Sequence, residues 1–255
     1  MTFDKYMDNP SGGQVYTNRG MYKQMYKGKF DAILLRENGR IQYELYKSNY
    51  ANDQHYVYIK VPSESVSGFY YDTVIEFTAP NNEIKNSTSL KDYNVRFYSN
   101  DPAFVYTFAY SFNKNGLFFK DLEPKMSKQA MKQKASTRNP KNDVWYVKSL
   151  VFAYLTMEQY DLFNKAKFRD AKKYNKRELI QKVTHADIKV GQLQDAQKKQ
   201  NDLKKANKSI NTGSRTVGGN YTNTSNMSKT SKTSRVSTVS KNSKRTKTTK
   251  MVGRK

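Results

Sequence analysis

The feature that most limits how this chain can fold is its C-terminal stretch, which has almost no large apolar residues after Ser209. A segment without apolar side chains cannot bury enough surface to offset the conformational entropy lost on ordering. We therefore predict that residues 209–255 are disordered. The folded part of this 255-residue chain is then expected to end near residue 208.

The same stretch is strongly basic. After Asp202 the sequence contains 14 Lys and Arg residues and no acidic residue. The formal net charge of the chain is +24, which leaves +10 for the first 202 residues. Such a field attracts polyanions, which are nucleic acid, an anionic membrane surface or an acidic protein.

Eleven of these cations, which we call the basic tail, are separated by Ser, Thr and Asn and are predicted to contact nucleic acid. Separated cations on an extended chain can follow a phosphate backbone and release its counterions, without reading the sequence. An acidic protein surface, or no partner beyond solvent, are the alternatives. The predicted contacts are Arg215, Lys229, Lys232, Arg235, Lys241, Lys244, Arg245, Lys247, Lys250, Arg254 and Lys255.

No segment of the sequence indicates a membrane or an export signal. The start, "MTFDKYMDNPSGG", has Asp and Pro where a signal peptide would have its apolar core. The longest apolar stretch, residues 144–157, contains Lys148 and is shorter than the roughly 20 residues of a membrane helix. The apolar residues of the tail are too few and scattered to insert into a bilayer. We predict no membrane partner and no export by a signal peptide.

Residues 30–119 have a strand-like pattern. "HYVYIKVP" (55–62) and "YDTVIEFTA" (71–79) predict strands, the second of them half-buried. "KFDAILLRENGRIQYELYKS" predicts a hairpin with a type I′ turn at Asn38-Gly39. "YNVRFYSNDPAFVYTFAYSFNKNG" predicts two more strands around a turn at 100–102. About six strands with short connections favour an antiparallel sheet or sandwich.

One of these predicted strands contains an aromatic residue at every second position. If residues 104–112 form a strand, one face of it is entirely aromatic. We expect this face to be core. Two alternatives are a protein interface and a platform for unpaired bases, in which Tyr106 and Tyr110 would stack. The aromatic residues are Phe104, Tyr106, Phe108, Tyr110 and Phe112.

The region after the strands has helical signals. A short helix is expected at 128–134, begun by Ser127, and a longer one with a single buried stripe from Asp143 to about Phe163. N-cap pairs at 175/178 and 184/187 predict helices over 176–183 and 185–207. The predicted fold class is α+β, with a β-rich domain at 1–125, a helical segment at 126–208 and a disordered tail at 209–255.

The sequence contains few groups suited to catalysis or metal binding. It has no cysteine, and its two histidines, His55 and His185, are expected to be ordinary strand-edge or helix-surface residues. Asp72 and Glu76 share a strand face about 13 Å apart, wider than either glycosidase geometry. No GxxxxGK[ST] loop is present. We predict no catalytic residue, no metal and no cofactor, while an enzyme of an unrecognised class remains a third alternative.

The Tyr-, Asn- and Lys-rich texture of "SNDPAFVYTFAYSFNKNGLFFKDLEPKM" and "NDVWYVKSLVFAYLTMEQYDLF" resembles structural proteins of tailed bacteriophages that infect AT-rich Gram-positive hosts. The resemblance covers about residues 30–165 and includes no diagnostic motif. It implies a non-catalytic virion or assembly component, present as a homo-oligomer or in a larger assembly. Its tail would lie near packaged DNA or a neighbouring subunit, and it would be found in the host cytoplasm or the virion.

The main function hypothesis is therefore a structural or scaffold-type protein that binds nucleic acid without sequence preference. The alternative is a nucleic-acid-binding regulator that uses the aromatic strand face. A regulator should prefer its sites by about 4 kcal/mol or more, whereas a structural tail should bind all duplexes alike.

Overall fold

A five-stranded sheet forms the centre of the fold. The computed structural model describes residues 1–10, 16–37, 39–48 and 53–213. Contacts divide the chain into two units, Met1–Ile210 and Asn211–Lys255, and the sheet belongs to the first. Its strand order is β4-β3-β2-β1-β5, antiparallel except for β5, which runs parallel to β1. The strands are β1 (Tyr43–Lys47), β2 (Gln54–Pro62), β3 (Tyr70–Thr78), β4 (Asn94–Ser99) and β5 (Lys172–Lys173).

Helices precede, interrupt and follow these strands. Two π-helical stretches, Tyr22–Tyr26 and Phe104–Phe108, lead directly into α3 and α5, and three 3-10 turns are Leu90–Asp92, Lys120–Lys125 and Lys165–Phe168. The α-helices are α1 (Phe3–Met7), α2 (Asn18–Met21), α3 (Lys27–Arg36), α4 (Asn82–Lys85), α5 (Ala109–Lys114), α6 (Lys128–Lys132), α7 (Lys148–Gln159), α8 (Lys176–Lys182) and α9 (Ala186–Gly213). An α+β fold is confirmed.

The sheet is covered on both faces, so the prediction of a half-buried β3 was wrong. Helix α7 packs on β2, β3 and β4. Across the sheet, the ring of Tyr174 stacks on that of Tyr56 on β2 with centroids 3.9 Å apart. Because both faces are covered, β3 buries Asp72 and Glu76 on one face as well as Ile75 and Phe77 on the other.

Helix α7 is the central helix of the core. It begins at Lys148, because Val147 before it is still extended, so the predicted start at Asp143 was too early. Tyr154, fully buried, packs its ring 5.1 Å from that of Phe3 on α1. Eight of the twelve residues of α7 are buried, which corrects the single buried stripe predicted from the sequence.

The predicted hairpin at Asn38-Gly39 is wrong, because its first arm is helix α3. Phe30 and Ile33 are buried one helical turn apart. A short apolar run with this spacing is compatible with a helix as well as with a strand. Gly39 has φ +66° and donates its N–H to the Leu34 carbonyl at 2.9 Å, which closes the end of the helix. Asn38 lies outside the described residues.

The aromatic run is also helical, as the π-helical stretch followed by α5. Phe104, Phe108 and Phe112 are four residues apart, so they share one helix face and are buried, as predicted for a core. Asp101 accepts a hydrogen bond from the Ala103 N–H at 3.0 Å. Asp101 followed by Pro102 is therefore a helix start and not a turn between two strands.

The later helices follow the local signals more closely. Helix α6 follows Ser127 as predicted, and α8 is capped by Asn175, which accepts from the Glu178 N–H at 3.3 Å. The cap of α9 is His185, whose Nδ1 accepts from the Asp187 N–H at 3.2 Å, and not Thr184 as predicted. Helix α9 extends to Gly213. Residues 214–255 lie outside the described residues, and the predicted disorder there stays a prediction, as does the domain division at residue 125.

Candidate nucleic-acid interface

The body of the protein has a basic segment of its own, residues 125–141, which contains no acidic residue. The eleven predicted contacts of the basic tail all lie beyond residue 213, outside the described residues, and stay predictions. The six cations of the basic segment are Lys125, Lys128, Lys132, Lys134, Arg138 and Lys141, and all except the half-buried Lys125 are exposed.

These cations are not held in direct ion pairs. Within the described part of the chain, none of the six forms a salt bridge. Elsewhere many cations are paired, as where Lys165 meets Asp53 at 2.8 Å and Arg19 meets Asp8 at 2.9 Å. The positive charge of the basic segment is therefore available to an external anion.

Apolar anchors hold the basic segment against the body. Met126 and Met131 are buried, and α6 packs on α5 and on the π-helical stretch before it. On α6, Lys128 and Lys132 lie one helical turn apart and point to solvent. The sequence therefore buries one side of the segment and places its cations on the other.

A buried asparagine fixes the end of the basic segment. Asn139 is only 1% exposed, and its Nδ2 donates to Ser111 Oγ on α5 and to the Asp143 carbonyl, both at 2.9 Å. Its Oδ1 accepts from the Asp143 N–H at 3.0 Å. Because Asn139 is locked by three hydrogen bonds, the neighbouring Arg138 and Lys141 project from a defined backbone.

Tyr106 is the one residue of the aromatic run that is exposed. Its side chain is 45% exposed, while Tyr110 is half-buried and the three phenylalanines are buried. Because the run is helical, the strand face that we expected to be core, with a stacking platform of Tyr106 and Tyr110 as an alternative, does not exist. Tyr106 instead lines a depression of about 360 Å³ together with Lys134 and Arg138 of the basic segment. Its hydroxyl donates to Asp187 Oδ1 at 3.2 Å.

The two histidines lie in different elements of the fold. His55 is 6% exposed on the central strand β2, so the prediction of a strand-edge or surface histidine is wrong for it. Its ring packs edge-on at 4.9 Å from Phe168 and 5.9 Å from Tyr93, and burial lowers its pKa. His185 caps α9. The fold does not bring the two together at one site.

The two carboxylates that the sequence placed on one strand face are bound to different partners. Asp72 accepts from the Tyr58 hydroxyl at 2.7 Å and from Asn100 Nδ2 at 2.9 Å. Glu76 pairs with Arg96 at 3.1 Å, and burial raises the pKa of Glu76 against the effect of that cation. Both carboxylates are used to join strands within the sheet.

Sequence reasoning missed a cavity of about 340 Å³ beside the start of the π-helical stretch. Asp101 and Ser149 line it, and burial raises the pKa of the Asp101 carboxyl. The signal was the Asp101-Pro102 pair, which we interpreted as a turn. Since Asp101 caps a helix, a structural role accounts for its position.

No group of three His, Cys, Asp or Glu side chains in the described ranges is arranged to hold a metal ion. No helix within them has both the length and the apolar character needed to cross a membrane.

No protein-family model matches this sequence, and no curated protein or solved structure is significantly similar to it. The function must therefore be inferred from the residues themselves.

Proposed function

We propose that the chain is a non-enzymatic structural or scaffold-type protein that contacts nucleic acid without sequence preference. The basic tail and the basic segment supply the contacts, and both meet the phosphate backbone. The observation that supports this most directly is the basic segment, with six cations, no acidic residue and no salt bridge to the described residues.

The chemistry of the basic segment suits phosphates better than base edges. Lysine ammonium groups and the Arg138 guanidinium donate to phosphate oxygens. Ser136 and Thr137, both exposed, add neutral donors of the kind that contact phosphates without reading sequence. Such contacts fix position on a strand but do not select among sequences.

The proposal includes a place in a tailed-phage particle or in its assembly. Support for this comes from the resemblance of residues 30–165 to virion proteins of such phages and from the excess of positive charge. Mass spectrometry of a purified particle should detect the chain in a fixed copy number. Absence from both the mature particle and its precursors would contradict this part of the proposal.

The test of nucleic-acid contact neutralises the basic segment. In one variant Lys128, Lys132, Lys134 and Arg138 are changed to Gln, and affinity for two unrelated duplexes is measured by fluorescence anisotropy over a range of salt concentrations. Each lost phosphate contact should reduce the salt slope by about 0.9. Since not every cation meets a phosphate, we expect a reduction of about 2 to 3, equal for both duplexes.

A control variant removes the same charge elsewhere. The exposed cations of the control lie on separate elements and form no salt bridge with the described residues. An equal loss of binding in both variants would mean that net charge, and not the basic segment, determines affinity. The control changes Lys5, Lys23, Lys114 and Lys167 to Gln.

A second candidate function is favoured by one observation, the exposure of Tyr106 beside Lys134 and Arg138. A base from a single strand could stack on this ring, which contributes about 1–3 kcal/mol in single-strand binders. Tyr106→Ala should then weaken single-strand binding by about tenfold or more and leave duplex binding unchanged. If the variant binds single strands as tightly as the natural protein does, this candidate is removed.

A further inference from the structure

A second basic site lies on the sheet face next to the start of α9. It is a depression of about 290 Å³, bordered by β2, β3, the end of α8 and the first turn of α9. Three lysines line it, Lys60 on β2, Lys182 on α8 and Lys189 on α9. The tertiary fold brings them together from three different elements.

One of the three lysines already has partners. Lys182 forms a salt bridge with Glu44 and lies over the ring of Tyr58, with its Nζ 4.9 Å from the ring centroid. Lys60 and Lys189 form no salt bridge with any residue in the described ranges. Two cations of the depression are thus left without a salt bridge within the described part of the chain.

The acid nearest to them, Asp72, forms a salt bridge with neither lysine, and both of its oxygens accept hydrogen bonds from other groups. Asp72, whose Cα pairs with that of Lys60 across β2 and β3, lines the same depression. Its Oδ1 accepts from the Tyr58 hydroxyl at 2.7 Å. Its Oδ2 accepts from Asn100 Nδ2 at 2.9 Å and from the Thr184 N–H at 3.0 Å.

Lys189 is half-buried near the N-terminus of α9. Burial lowers the pKa of its ammonium group, and the charge of Asp72 opposes this change by more than Lys60 adds to it. Lys189 is the fourth residue of α9, at the positive end of the helix dipole, where a cation is disfavoured. Its Nζ lies 5.1 Å from the ring centroid of Phe69, which forms an apolar wall. A bound anion would interact favourably with the ammonium groups of Lys60 and Lys189 and with the positive end of the helix dipole.

We propose that Lys60 and Lys189 form a phosphate-binding site, occupied by the phosphate group of a small molecule or of a nucleic-acid backbone. A phosphate monoester has a charge of about −1.5 to −2 at neutral pH, which matches two ammonium groups. The site shares no residue with the basic segment and does not require nucleic-acid binding by the tail.

The first measurement titrates inorganic phosphate into the full chain at constant ionic strength, with chloride as the reference anion. The melting temperature should rise and saturate, and the pKa of the Lys189 ammonium, followed by NMR, should rise toward its ordinary value of 10.5 as phosphate binds. This NMR readout needs no variant. No saturable response to phosphate in either measurement would overturn the proposal.

The second measurement uses the double variant Lys60→Gln/Lys189→Gln. Its phosphate affinity should fall at least about tenfold, since two charge-assisted contacts are lost. The control, Lys198→Gln/Lys199→Gln, removes the same charge from the exposed part of α9. If phosphate stabilises all three proteins equally, the site is not at Lys60 and Lys189.

A third measurement separates the two sources of phosphate. A short single-stranded oligonucleotide should lose affinity in the double variant if the site holds a backbone phosphate. If inorganic phosphate binding falls but oligonucleotide binding does not, the site holds a small phosphorylated molecule. A failure of the proposed tail contacts would leave both results unchanged, so the two proposals fail separately.

Discussion

Substitutions in the aromatic run distinguish a helix from a strand at these positions. They also measure how much the core beneath the basic segment contributes to the free energy of unfolding. In the helix, Phe112 is fully buried, with its ring centroid 5.1 Å from Phe104, 5.9 Å from Phe97 and 6.0 Å from Tyr6. Val105 is also buried, while Tyr106 is exposed. A strand would bury Tyr106 with the phenylalanines and would place Val105 on the opposite face.

The expected costs follow from burial. Phe112→Ala should reduce the free energy of unfolding by about 3–5 kcal/mol. For a folded unit of this size each kcal/mol lowers the melting temperature by about 2–4 °C, so a decrease of about 6–20 °C is expected. Val105→Ala should cost about 2 kcal/mol, from two buried carbon groups and a small cavity. Tyr106→Ala loses one exposed hydrogen bond and should cost less than about 1 kcal/mol.

The assay is urea unfolding of each variant, followed by circular dichroism and by tryptophan fluorescence. Tyr106→Phe serves as a control that keeps the ring and removes only the bond to Asp187. The reasoning is refuted if Tyr106→Ala costs as much as Phe112→Ala while Val105→Ala is neutral, since that pattern belongs to a strand.

Two further predictions concern polar groups at the ends of the basic segment and of the π-helical stretch. Asn139→Ala should cost about 2–3 kcal/mol in urea unfolding, because it leaves buried partners on Ser111 and Asp143 unpaired; a cost no larger than that of Thr137→Ala, an exposed control, would contradict this anchor. Asp101→Asn keeps an acceptor for the Ala103 N–H and removes a carboxyl whose pKa burial raises above its ordinary value of 3.8. The folded protein then binds this proton more tightly than the unfolded chain, so its stability falls as pH rises above that value. The stability of the variant relative to the natural protein should therefore increase between about pH 4 and about pH 7, and a pH-independent difference would disprove the raised pKa.

The elements that the sequence predicted correctly are those with local and unambiguous signals. β2 and β3 are apolar, β-branched and aromatic runs, and β2 ends at Pro62. Helix α8 begins at an asparagine whose side chain accepts from the next turn. In each case a few neighbouring residues determine the conformation.

The errors arose where one pattern fits two conformations. Aromatic residues at every second position also lie four apart, so the run from Phe104 to Phe112 satisfies both a strand and a helix face. The Asp101-Pro102 pair favours the helix and was interpreted only as a turn. The start of the predicted hairpin failed for the same reason, since Phe30 and Ile33 also have helical spacing.

The candidate sites depend on contacts that the sequence does not reveal. Asn139 fixes the basic segment through Ser111, which lies on another helix. Lys60 and Lys189 meet because β2 and α9 border the same depression. Composition predicted an affinity for polyanions, but only the fold shows which cations remain without an acidic partner.

The central claim is that this protein binds nucleic acid through phosphates, and the dependence of duplex affinity on salt concentration tests it most directly. The full chain and a chain cut after Ser209 are compared, with circular dichroism to verify that the body stays folded. If about six tail cations meet phosphates, the truncation should reduce the slope of log affinity against log salt by about 5, at about 0.9 per contact. A weaker slope from the basic segment should remain. If the truncation changes neither affinity nor slope, the tail does not bind DNA in this protein.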